Sequence, residues 1–97
     1  MQSPNHSEKF YSKLKAQLYE TTSWPSKYLF KFIVKSDPDK ITKIESNFDN
    51  MGAIITSSFS KNGKYTSVSI HVEMTNPEAV IEKYMLIGKE VKDVISL

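Results

Sequence analysis

The run Lys61-Asn62-Gly63-Lys64-Tyr65-Thr66-Ser67-Val68-Ser69-Ile70 constrains this chain more than any other. Asn-Gly tolerates the positive φ angles of a tight hairpin turn. The alternation after it gives a strand with one face for a core and one for water. Thr66, Val68, Ile70, Val72 and Met74 form the mostly apolar face, and Ser67, Ser69, His71 and Glu73 the polar one. Ala53 to Ser60, rich in serine and threonine, is the partner strand on the other side of the turn. An antiparallel pair therefore sits in mid-sequence, and the remaining elements must pack around it.

Those elements are legible from spacing and caps. Met1 to Ser7 is polar and reads as a disordered tail, with residues 8–97 forming one domain. Glu8 to Glu20 reads as a helix, with Phe10, Leu14 and Leu18 on one stripe and Ser7 as its cap. Pro25 pushes Trp24 into an extended conformation and breaks the pattern. Lys27 to Lys35 is a strand with Tyr28, Phe30, Phe32 and Val34 on one face, and Leu29, Lys31, Ile33 and Lys35 on the other. Asp37-Pro38-Asp39 and Asn76-Pro77-Glu78 each place a capping side chain, a proline and an acid at a helix start. Ile41, Ile44, Phe48 and Met51 then define a helix ended by Gly52, and Val80, Tyr84 and Ile87 one stopping near Gly88. Val91 to Leu97 is the last strand. The order is helix, then β-α-β-β-α-β, the split βαβ arrangement. The expected fold class is α+β: a ferredoxin-like sandwich with a four-stranded antiparallel sheet, two helices on one face, and an additional amino-terminal helix.

Composition narrows the chemistry. With 97 residues the chain holds one modest core. The absence of cysteine excludes thiol catalysis, disulfides and thiolate metal sites. All 13 positive side chains are lysine and the net charge is +2, too mild and too dispersed for a nucleic-acid groove. No apolar run approaches the roughly 20 residues of a membrane span, and Met1 to Ser7 lacks the core of a signal peptide. The expectation is a cytoplasmic protein without membrane attachment.

One stretch after another is similar to a known family. Ser60 to Ile70 resembles the hairpin signature of the YbeD-like family, domain of unknown function 493, in which a Gly/Lys/Asn turn precedes Tyr-x-Ser-Val-Ser/Thr. Val80-Ile81-Glu82-Lys83-Tyr84 and Val91-Lys92-Asp93-Val94 are similar to its last helix and strand. Trp24-Pro25-Ser26-Lys27-Tyr28 fits its Phe-Pro-x-x-Phe lead into the first strand, with Trp24 replacing a phenylalanine. The resemblance covers roughly Leu14 to Leu97. It implies a small ferredoxin-like protein, ACT-like in shape and labelled lipoate-regulatory through genomic association. It implies no ligand site or catalytic residue.

The candidate site residues come from the side of the sheet away from the helices. Lys31, Ser67, Ser69 and His71 are candidate ligand contacts, and Leu29 and Ile33 an apolar patch that a first helix, a second copy or a ligand could cover. His71 as a general base would need an orienting third group, and no spacing supplies one. His6, in the tail, is the only other histidine, so neither a metal site nor a cofactor is expected. An RNA-recognition module shares the element order but needs aromatics on the open face of its first and third strands. Phe30 and Phe32 fit the core better, which disfavours nucleic acid. The function expected is a non-enzymatic regulatory or binding module for a protein or small molecule. The alternatives are a scaffold that homodimerises through its sheet face and an accessory enzyme of lipoyl handling.

Overall fold

The structure is a computed structural model and describes residues 5–97. Seven elements follow one another: α1 (Asn5–Thr21), β1 (Ser26–Lys35), α2 (Pro38–Ser46), β2 (Ile54–Phe59), β3 (Tyr65–Met74), α3 (Pro77–Glu90) and β4 (Ile95–Ser96). The four strands form one antiparallel sheet in the order β2-β3-β1-β4. The fold is thus α+β, with three helices and an open four-stranded sheet.

Alternation on the two long strands decides which side is core. Phe30, Phe32 and Val34 from β1, and Val68, Ile70, Val72 and Met74 from β3, are buried. Ile44 of α2, Phe48, Val80, Tyr84 and Ile87 of α3, and Val91 pack on them. The β1–β3 register places Phe30 opposite Ile70 and Phe32 opposite Val68. Phe30 also stacks with Phe32 and meets Phe48 and Tyr84 edge-on or tilted. Thr66 is the one polar member of this face, and its hydroxyl meets that of Ser36 at 2.8 Å. A buried hydroxyl with a partner costs little.

The helix starts follow their caps. Asp37 accepts from Asp39 N–H at 2.9 Å, and Asn76 from Ala79 N–H at 2.8 Å, each ahead of a proline. Helix ends differ from the spacing. α2 stops at Ser46, after which N–H groups of residues 47, 48 and 49 reach back three residues. Tightening of that kind replaces the last α-turn, and it still delivers Phe48 to the core. Asn50 and Gly52 then take positive φ to start β2. Gly88 lies inside α3, which continues to Glu90. Val91 closes that helix as a buried residue and Asp93 turns with positive φ, so β4 shrinks to two residues.

The hairpin is also wider than two residues. The Ser60–Tyr65 pair closes it, with Ser60 N–H donating to Tyr65 C=O at 2.7 Å and Gly63 N–H to Ser60 C=O at 2.8 Å. Only Gly63 has positive φ, whereas a two-residue turn of this class needs it at both positions. Asn62 instead uses its side chain, accepting from Lys64 N–H at 3.0 Å.

α1 begins at Asn5, so Ser7 lies within it and cannot cap it; of the tail expected over residues 1–7, residues 1–4 lie outside the described residues. α1 lies against α3. Leu14 and Leu18 pack on the core, and the Tyr11 ring stacks near that of Tyr84. Phe10, expected on the same stripe, is 61% exposed, and Tyr11 takes its place. The Trp24 indole N–H caps the helix end by donating to Leu18 C=O at 3.1 Å. Among the described residues no helix is long and apolar enough to cross a membrane.

Candidate functional site: the open face of the sheet

All helix packing falls on the side of Phe30 and Ile70, which leaves the residues of opposite parity outside. The six candidate residues lie there as three cross-strand pairs in consecutive rows: Leu29 with His71, Lys31 with Ser69, and Ile33 with Ser67. Register extends these rows to the edge strands. Ile54 of β2 lies opposite His71, Thr56 opposite Ser69 and Ser58 opposite Ser67, while Ile95 of β4 lies opposite Ile33. The rows are bracketed by Lys27 with Glu73 at one end and Lys35 with Tyr65 at the other. Along β1 the open face therefore reads Lys27, Leu29, Lys31, Ile33, Lys35, charge alternating with aliphatic.

α1 does not cover the aliphatic patch, one of the three covers open to it. Leu29 is 49% exposed, Ile95 51% and Ile54 67%. Ile54 and Ile95 enlarge the patch beyond Leu29 and Ile33. Sequence pattern alone did not flag them, because only strand register puts them beside His71 and Ile33. At the His71 end the surface deepens into a groove of about 850 Å³ lined by Lys27, Met51, Gly52, Ile54, His71 and Glu73. Gly52 has open space where a Cβ would sit, so its positive φ, rather than crowding, favours glycine there.

This arrangement suits binding better than proton transfer. The residues directly opposite His71 are Leu29 and Ile54, two aliphatics that cannot orient an imidazole. Lysines, hydroxyls and exposed aliphatics on one flat surface can hold a partner with both an acidic and an apolar part. Stacking aromatics are elsewhere: Phe30 and Phe32 are in the core, and Tyr65 alone represents the aromatics on the open face of β1 and β3. Among the described residues no three His, Cys, Asp or Glu side chains group as a metal site.

Residues 20–95 match the family described as "Protein of unknown function (DUF493)". The chain belongs to that family. The match spans β1, β2, β3, α2 and α3 and ends at Ile95, the first residue of β4, and so includes the whole open face of this DUF493 member. Most of α1 precedes it. No curated protein and no solved structure matches the chain.

Proposed function

We propose that this DUF493 protein is a non-enzymatic regulatory or binding module whose working surface is the open sheet face. The observation that carries this reading is the uncovered set Leu29, Lys31, Ile33, Ser67, Ser69 and His71, in register on the two central strands beside a groove. Exposed aliphatics on central strands are unusual without a partner to cover them. The strand order, with one helix after β1 and another after β3, supports a ferredoxin-like sandwich with an extra amino-terminal helix. An ACT-like mode, in which a sheet surface takes a regulatory ligand, is an analogy from that shape. The lysine–aliphatic alternation on β1 favours a ligand that joins a carboxylate to an apolar chain. Free lipoate in the cytoplasm has that chemistry and agrees with the family's lipoate label.

Native mass spectrometry of the protein purified from its own host tests this. A mass lost only on denaturation, and reduced at least tenfold in occupancy by Lys31→Glu, is the expected result. Bare protein, or an adduct indifferent to Lys31→Glu, counts against the reading. The apolar patch favours a second reading, a homodimer that buries Leu29, Ile33, Ile54 and Ile95 face to face. In that case Leu29→Glu yields a folded monomer, and an unchanged oligomeric state sinks it.

A further inference from the structure

β2 is an edge strand whose outward backbone groups are unprotected. The Ser60–Tyr65 bond fixes the phase of the β2–β3 ladder, so Ile54, Thr56 and Ser58 bond inward to β3. Ile55, Ser57 and Phe59 therefore turn their N–H and C=O groups away from the sheet. Edge strands are ordinarily blunted by charge, proline, a bulge or shortness. β4, the other edge, is two residues long. β2 is six residues, Ile-Ile-Thr-Ser-Ser-Phe, without a charge or a proline. Phe59 is 72% exposed although it points to the same side as the core residues.

We propose that β2 pairs antiparallel with β2 of a second copy about a two-fold axis at Ser57, joining the two sheets into one of eight strands. Opposed residues must share a face, and only outward-turned residues can exchange bonds, so the axis must pass through one residue of the strand. Centring on Ser57 pairs all six free groups: Ser57 with Ser57, and Ile55 with Phe59 twice. Centring on Thr56 or Ser58 strands Phe59 or Ile55 without a partner inside β2. The chosen register lays each exposed Phe59 against an Ile55, an aromatic–β-branched pair of the kind that stabilises sheets. Charge agrees with self-pairing. Continuing antiparallel, the Lys61 to Lys64 tip of one copy runs along residues 50–53 of the other, next to Asp49 and at the rim of the groove formed by Met51, Gly52 and Ile54. The lysines of each tip meet an uncharged segment beside Asp49, and the two basic tips do not meet.

Sedimentation velocity over a concentration series up to about 1 mM tests this. The expected result is a monomer–dimer equilibrium in which amide exchange at Ile55, Ser57 and Phe59 slows with concentration while that at Thr56 and Ser58 does not. Ser57→Pro removes an N–H that β3 does not use, and should weaken the dimer at least tenfold with circular dichroism unchanged. Should that variant unfold, the charge pair decides: Ser57→Lys and Ser57→Glu are each monomeric, and mixing them restores a one-to-one dimer. A wild-type monomer throughout, a dimer indifferent to the Ser57 charges, or pairing only with strands of other proteins overturns the proposal. Ser57 lies off the open face, so these outcomes are separable from those of Lys31→Glu and Leu29→Glu.

Discussion

Tyr84 carries a hydroxyl into the core, where it meets that of Tyr28 at 2.9 Å, and its ring sits against Phe30 and Phe32. Burial, and then the bond to Tyr28, raise its pKa above the ordinary tyrosine range. The neutral form is thus favoured in the fold. Below about pH 10 both states are protonated and the stabilisation is intact; as pH rises further the unfolded chain ionises first and stability falls. Tyr84→Phe should soften this alkaline loss and cost about 1 kcal/mol at neutral pH, because Tyr28 loses its partner. Denaturant melts at pH 7 and above pH 10 check both, and an unchanged alkaline limb contradicts the account. Gly63→Ala, forced to keep φ 76°, should cost about 1 kcal/mol in the same assay. The spacing of Val80, Tyr84 and Ile87 was enough to bury Tyr84. Its hydroxyl partner lies 56 residues away on β1, and no local pattern encodes that.

α1 is held to α3 by Tyr11, Leu14 and Leu18, and by the Tyr19 hydroxyl donating to Glu78. That bond comes first among the causes that lower the Glu78 pKa. A depressed carboxylate contributes stability above its ordinary pKa, and the contribution is lost as pH falls through the lower folded value. Docking of α1 should therefore loosen on acidification below about pH 4. Trp24, the only tryptophan, bonds the end of α1 and reports this by fluorescence. Tyr19→Phe should flatten the acid limb, and identical profiles would refute the role of the contact. Element existence and order were readable because Asx-Pro caps and strict alternation are local signals. Ends were less readable. Gly88 sits inside a helix whose stop is set by Val91 entering the core, and α2 yields to a tighter turn so that Phe48 can be buried.

At the scale of the molecule, helices on one side leave a mixed lysine, hydroxyl and aliphatic surface on the other. Alternation on β1 and β3 alone marked all six candidate residues for that surface, since parity survives errors at element ends. Ile54 and Ile95, and the groove beside His71, were beyond the sequence. Both follow from which residue pairs with which across strands far apart in the chain. The two proposals use separate surfaces, the face for a ligand and the edge for a second copy. The central claim concerns the face. Its most direct test is native mass spectrometry of the host-purified wild type beside Lys31→Glu, with thermal melts to show that both are folded. The account predicts a bound mass on the wild type that the variant loses while still melting cooperatively, at the temperature of wild type stripped of that mass. Equal occupancy of both proteins, or none on the wild type, would contradict it.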